Sequence, residues 1–169
     1  RTATEFARVA AAMSGAGVAA IEVNLSCPNL EAGALFALAA RVSAQVGGAG
    51  RAATSLPLGA KLSPNAADVV AVAGAATAAG ADFLVLGNTV WGAAIDPETR
   101  KPGISGVIGG YSGPPIKPIA LRTVLEVRRA LPDFPIVGCG GVRSAADTVE
   151  FMLAGAQAVA LGTAHFAGP

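Results

Sequence analysis

Asn24-Leu25-Ser26-Cys27-Pro28-Asn29 sets two carboxamides around a thiol. A carboxamide offers both a donor and an acceptor, so two of them can hold a flat, polar heterocycle. A thiol beside that heterocycle can move a proton once its pKa suits the task. Cys27 therefore reads as a proton-transfer residue next to a substrate clamp. The competing reading is an inert buried thiol, since free cysteine often packs as a small hydrophobe. Ser26, Pro28 and the two asparagines argue against an apolar niche.

The stretch follows Ala19-Ala20-Ile21-Glu22-Val23, an apolar, strand-like run, so the clamp sits at a strand's C-terminal mouth. Four further strand-like runs end in polar or glycine-rich mouths: Lys61-Leu62-Ser63-Pro64-Asn65, Gly87-Asn88-Thr89, Gly138-Cys139-Gly140-Gly141 and Gly162-Thr163. Lys61 closes an apolar strand, where a lysine is costly to bury without an anionic partner. It could neutralise the electron-rich pyrimidine edge of a reduced flavin, or simply form a salt bridge at the edge of the core. Gly140-Gly141 before a helix, then Gly162-Thr163, are where backbone N–H groups could approach a phosphate. Either pair could also be a plain turn; two in succession favour the phosphate. Cys139, between glycines, reads as a packing residue near that loop. His165 is the single histidine, which gives neither a metal site nor a triad, and it reads as loop structure.

The elements that must position these residues alternate along the chain. Strands are expected at 19–25, 58–62, 82–87, 134–138 and 158–161, and helices at 2–14, 31–46, 66–79, 117–131 and 145–154. That rhythm implies an α/β fold with a parallel sheet and right-handed crossovers. The strands carry few alternating polar residues, as when both faces are buried. Ser144 with Asp147 reads as a capping box and Gly155 as a C-terminal cap. Val149, Met152, Leu153 and Ala156 form one apolar stripe, and Ala120, Val124, Val127 and Leu131 another, with Arg122, Glu126 and Arg129 outward. The Gly- and Ala-rich stretch 47–57 reads as a connector. Residues 91–116, Gly/Pro-rich, read as a long and therefore functional loop. In a (β/α)₈ barrel the active site lies at the C-terminal face, with a phosphate site after strands 7 and 8.

At 169 residues, the length suits one domain, and 53% hydrophobic against 14% charged residues predicts a sizeable core. A net charge of +1 without a basic run argues against nucleic acid or a membrane surface as partner. No apolar run reaches the roughly 18 residues of a spanning helix, and no signal peptide is visible. Cys27 and Cys139 make no CxxC and no disulfide framework, so a reducing cytoplasm is the simplest setting. The chain opens on Arg1 and stops at Pro169, just after a strand, as expected of an excerpt from a longer protein.

Together these residues resemble the dihydroorotate dehydrogenase family, class 1, B type. The resemblance runs from about residue 18 to Pro169. Its signatures occur in the family's order: residues 24–29, Lys61 to Asn65, Asn88-Thr89, Gly-Gly-Tyr-Ser-Gly-Pro-Pro-Ile-Lys-Pro at 109–118, Gly140-Gly141-Val142 and Gly162-Thr163. Asp96 to Pro102 looks like the B type, and a Cys rather than a Ser in the first motif points to class 1. The resemblance implies a partial (β/α)₈ TIM barrel, about five of eight units, with residues 1–169 the C-terminal portion of one FMN-binding domain. It implies oxidation of dihydroorotate to orotate in pyrimidine biosynthesis. Cys27 would take a proton from ring carbon 5 while hydride passes from carbon 6 to the flavin. Asn24, Asn29, Asn88 and Thr89 would bind the pyrimidine. Lys61 would contact the isoalloxazine, and Ser112, Gly113, Gly140, Gly141, Gly162 and Thr163 would hold the ribityl-phosphate end of FMN. A homodimer is implied, with a second subunit carrying FAD and an iron–sulfur cluster to pass electrons to NAD.

Set against the family pattern, about three N-terminal barrel strands and the final helix are absent, and the segment from Leu30 to Ala34 is shorter than the usual loop. Five strands alone leave a barrel open with apolar edges. The chain also resembles a dihydropyrimidine dehydrogenase-type domain in the Cys loop and in Ile119-Ala120-Leu121-Arg122. A third reading is a non-catalytic flavin- or phosphate-binding barrel fragment.

Overall fold

A computed structural model describes residues 2–25 and 40–167. Five parallel strands carry the fold: β1 (Ile21–Asn24), β2 (Leu58–Leu62), β3 (Phe83–Leu86), β8 (Ile136–Cys139) and β9 (Ala158–Ala160), hydrogen-bonded in the order β1-β2-β3-β8-β9. Helix α1 (Ala3–Ser14) precedes β1, and α2 (Ala40–Ala53), α3 (Val69–Ala78), α4 (Lys117–Ala130) and α5 (Ala145–Leu153) lie between successive strands of this sheet in the chain. The parallel sheet is as expected from the alternation, and the arrangement is that of part of a (β/α)₈ barrel, as the resemblance implies. Among the described residues the sheet is open at β1 and β9.

Register divides the sheet into two faces. Ile21 pairs with Leu58, Val23 with Ala60, Ala60 with Leu84, and Leu84 with Ile136. Paired residues point the same way and alternate along each strand, so this set forms one apolar face. It joins Val72, Ala76, Val124, Val127 and Phe151 from the helices in the core. The opposite face carries Asn24, Lys61, Val85 and Val137 in one row, with Asn24 paired to Lys61 and Lys61 to Val85. The expectation that both faces are buried fails at β1, where Glu22 and Asn24 are exposed. No helix covers their face among the described residues, so a polar side chain is tolerated there.

The helix starts follow side-chain chemistry. Thr2 and Glu5 close a capping box on α1, Asp68 Oδ1 accepts from the Ala71 N–H at 2.9 Å to start α3, and Ser144 with Asp147 closes the expected box on α5. In α4 the buried residues are Ala120, Thr123, Val124 and Val127. The expected stripe on α5 does not hold. Val149, Met152 and Leu153 are exposed, while Asp147 and Phe151 are buried. Phe151 decides the rotation: a Cβ on Gly138 would lie 2.5 Å from its ring, so the phenyl fills the space over β8 left by that glycine.

Two further segments differ from the reading. Residues 47–53 belong to α2 and are not a connector. Glycine there serves close packing: a Cβ on Gly47 would approach Ala79 to 3.2 Å, and one on Gly50 would approach Leu58 to 3.4 Å. Residues 31–39, the expected start of this helix, lie outside the described residues. The 91–116 segment is not a plain loop but an antiparallel arm. Strand β4 (Val90–Ala93) pairs with β7 (Ile108–Tyr111), and β5 (Ile95–Asp96) with β6 (Lys101–Pro102). These strands are short and contain Gly92, Gly109 and Gly110, which hides their period of two.

At the end of the sheet remote from the mouths, two arginines tie down the turns that enter the strands. Arg51 donates to Asp82 Oδ2 at 2.8 Å and to the Leu56 carbonyl at 3.0 Å. Arg128 donates to the Gly155 carbonyl at 2.7 Å and to Gln157 Oε1 at 2.9 Å. Each alkyl stem lies where a following glycine, Gly80 or Gly155, has no Cβ. Charge-assisted bonds to buried carbonyls contribute more than neutral ones. Arg128→Ala is expected to lower unfolding stability by about 2 kcal/mol in urea titrations of the full-length protein, leaving the mouths of the strands intact.

Candidate active site

The mouths of β2, β3, β8 and β9 and the end of the arm enclose a cavity of about 430 Å³. Its walls include Lys61, Asn88, Thr89, Ser112, Gly113, Gly140, Gly141, Gly162 and Thr163. Nine of the residues singled out in the sequence, from positions more than one hundred residues apart, therefore face one space. Asn24 stands beside it: Asn88 Nδ2 donates to Asn24 Oδ1 at 3.4 Å. Cys27 and Asn29 lie outside the described residues.

Each element positions its side chain for a local reason. Lys61 is one residue from the end of β2 on the face away from the helices. Its Nζ lies 3.6 Å from Glu22 Oε1, so the expected edge salt bridge and the cavity position coexist in one side chain. Asn88 follows Gly87, whose φ is +121° and whose Cβ would fall 1.7 Å from the Cys139 carbonyl. Only glycine allows β3 and β8 to approach this closely as they open into the mouth. Asn88 Oδ1 accepts from the Thr89 N–H at 2.8 Å, which fixes the carboxamide. The Thr89 hydroxyl oxygen is buried without a hydrogen-bond partner.

The glycine end is built by contact between two loops. Gly141 has φ +73°, and a Cβ there would meet the Lys117 amide nitrogen at 2.7 Å and the Gly113 carbonyl at 2.9 Å. The loop after β8 thus lies directly against the 112–118 segment. Thr163 Oγ1 and Ser112 Oγ are 3.2 Å apart, joining the mouth of β9 to the same segment. Lys117 locks the assembly, donating to Asp147 Oδ1 at 2.6 Å and Glu150 Oε1 at 2.9 Å. Asp147 Oδ2 also accepts from the Arg143 and Ser144 N–H groups, at 3.0 and 2.9 Å. Asp147 thus ties Arg143 and Ser144, the two residues ahead of α5, to its first turn, and the glycine loop before them brings further backbone N–H groups to the cavity, where they can meet an anion.

Sequence reasoning missed Arg143 and the role of Lys117. Arg143 lines the cavity and is exposed; its place directly after Gly-Gly-Val was the available signal. Cys139 also lines the cavity rather than only packing behind it. Burial pushes its thiol up, opposed by the charge of Lys61 and reinforced by that of Glu22, so it stays protonated near neutral pH. His165 is exposed in the short 3₁₀ turn Thr163–Ala167, in keeping with a loop role. Among the described residues no helix is long and apolar enough to cross a membrane.

The fit of a phosphorylated flavin can be tested on this geometry. The cavity is of the size that takes a cofactor. One end is lined by glycines with no Cβ in the way: at Gly162 an added Cβ would meet nothing within 4 Å. The other end offers the Lys61 cation and the Asn88 carboxamide, with Thr89 in the wall beside them. This donor set suits an anion at one end and a polar ring at the other, so the residues present fit FMN.

The Lys117–Asp147 pair carries a pH signature. The Lys117 ammonium first, then the Arg143 N–H and the Ser144 hydroxyl, holds the Asp147 carboxyl well below the usual carboxylate range. Such a group contributes stability that is full above the unfolded value, about pH 4, and is lost as pH falls below it. The stability gap between the native protein and Asp147→Asn is expected to be constant from pH 8 to about 5 and to shrink below about pH 4. Urea midpoints across that range check it.

Comparison with known proteins bears on the family and the fold. The family profile for dihydroorotate dehydrogenase matches residues 1–169. The chain is 47% identical over 170 residues to the dihydroorotate dehydrogenase B (NAD(+)) catalytic subunit of Desulforamulus reducens, covering 99% of this chain and 56% of that protein. It is 52% identical over 153 residues to the Geotalea daltonii protein of the same name, covering 90% of this chain and 50% of that one. It thus spans about half the length of the curated relatives it matches. The crystal structure of an Eimeria tenella dihydroorotate dehydrogenase in complex with ferulenol superposes with a TM-score of 0.74 at 22% identity, over 97% of this chain and 48% of that one. At that identity the superposition speaks for the barrel fold alone. With a profile match along its whole length and relatives near half identity, the chain belongs to the dihydroorotate dehydrogenase family.

Proposed function

We propose that residues 1–169 are the C-terminal portion of the FMN-binding barrel of a B-type dihydroorotate dehydrogenase catalytic subunit, which oxidises dihydroorotate to orotate in pyrimidine biosynthesis. The observation that carries this is the single cavity shared by Lys61, Asn88, Thr89 and the three glycine-rich segments. The names of the relatives near 50% identity support the B type.

Each residue has a role in that reading. Gly113, Gly140, Gly141, Gly162 and Thr163, with Ser112, hold the phosphate end of FMN through backbone amides and hydroxyls. Lys61 sets a positive charge beside the ring, where negative charge develops on reduction. When bound, FMN supplies the acceptor for the hydride leaving carbon 6 of the substrate. Asn24, Asn29, Asn88 and Thr89 orient the pyrimidine against the ring, and Cys27 takes the proton from carbon 5. A homodimer, a partner subunit with FAD and an iron–sulfur cluster, and a cytoplasmic location accompany the reading.

The test is anaerobic flavin reduction by dihydroorotate in the full-length protein. Cys27→Ala is expected to slow reduction by at least about 100-fold. Cys27→Ser is expected to retain slow reduction with a higher pH optimum, because a hydroxyl is a far weaker acid than a thiol. Equal rates in the native and Ala proteins would remove Cys27 from the role of base.

A further inference from the structure

We propose that Asn65 is the positioning residue for the substrate end of the cavity, acting through Thr89. The inference rests on the functional reading above and adds a residue outside the cavity wall.

Asn65 lies three residues past the end of β2, in the loop that follows Lys61. Its own placement is fixed by Ser63, which is fully buried. The Ser63 hydroxyl oxygen accepts from the Asn65 backbone N–H at 3.1 Å and from Asn65 Nδ2 at 3.0 Å. So held, the carboxamide meets the chain where it leaves β3 for the arm. Nδ2 donates to the Thr89 carbonyl at 3.0 Å, and Oδ1 accepts from the Trp91 N–H at 3.1 Å. A carbonyl and an N–H two residues apart are what a neighbouring strand would bond. One side chain thus replaces a strand partner at the point where the main sheet ends and β4 has only just begun.

What this clamp presents is the Thr89 side chain. Thr89 lines the cavity, and its hydroxyl oxygen is buried without a partner. It is also pressed from the arm side, since a Cβ on Gly110 would lie 2.5 Å from that oxygen. A buried hydroxyl left unpaired is costly, and a turn about the Cα–Cβ bond of Thr89 would bring it to the cavity wall, where a ligand can supply the missing bond. Only a carboxamide serves both ends of the clamp: a carboxylate keeps the acceptor for Trp91 and loses the donor to Thr89, and alanine loses both.

The experiment uses the full-length, FMN-loaded protein and titrates orotate, followed by the change in flavin absorbance. Asn65→Ala and Thr89→Val are each expected to raise the orotate dissociation constant about tenfold, with Asn65→Asp weakened as well. Flavin content should stay at the native level in all three, because the phosphate end rests on the loops after β8 and β9. The double variant Asn65→Ala/Thr89→Val should bind no more weakly than the weaker single variant, the mark of one residue acting through the other. Additive losses, or native affinity in Asn65→Ala or Thr89→Val, overturn the proposal. If Asn65→Ala does not fold, native affinity in Asn65→Asp overturns it instead. Failure of the native, flavin-loaded protein to bind orotate at all defeats the functional reading, and this inference with it.

Discussion

The pairing register of the parallel sheet decides everything at the mouth. Asn24 lies beside Lys61, and Lys61 beside Val85, on the face turned from the helices. A slip of one residue between β1 and β2 would turn Lys61 into the helix layer and push Leu62, now fully buried, out of it. The penalty for burying an unpaired ammonium and exposing a leucine acts in the same direction. The apolar alternation that builds the core is thus the same constraint that aims the lysine at the cavity. The glycines of the strands refine the spacing: Gly59 takes Phe83, and Gly138 takes Phe151, where a Cβ would collide.

A second layer of contacts converts this frame into a site. The arm leaves β3 and returns to the cavity at Ser112 and Gly113, then runs into α4. Lys117 at the start of α4 is paired with Asp147 and Glu150 of α5, so the 112–118 segment and the glycine loop before α5 are held as one piece. Because Asp147 accepts from the backbone N–H groups of Arg143 and Ser144, just ahead of α5, this carboxylate has two duties, closing the capping box and anchoring Lys117. The clefts of charge and the glycine loops lie at the mouth end, whereas Arg51 and Arg128 brace the opposite end. The candidate site thus lies at the mouth end of the sheet, as the barrel architecture expects.

Much of this was legible in the sequence because the informative residues sit at strand ends. Short apolar runs closed by Lys61, Gly87 and Gly138 located every main strand to within about two residues. The capping box at Ser144 was readable because its two partners are three residues apart. What escaped reading was set by tertiary contact. The glycines of α2 looked like a connector because nothing local reveals that Leu58 and Ala79 need the room. The stripe on α5 was misassigned because Phe151, one residue from it, outweighs Met152 and Leu153 once Gly138 opens a space for a ring. The arm was hidden by its glycines and by partners up to twenty-one residues apart, Val90 against Tyr111. Asn65, in a motif already noted, gave no hint that its carboxamide would reach across to Thr89 and Trp91.

In the proposed function, one cavity at the strand mouths holds a phosphate at its glycine end and a ring beside Lys61. The most direct measurement is a crystal structure of the full-length protein with its flavin and orotate bound. With the proposed function, the phosphate lies on the backbone amides of Gly140, Gly141 and Thr163, the ring lies beside Lys61, and orotate is within hydrogen-bond distance of Asn88 and the Thr89 hydroxyl. A phosphate bound away from the two glycine loops, or a pyrimidine out of reach of Asn88 and Thr89, would contradict it.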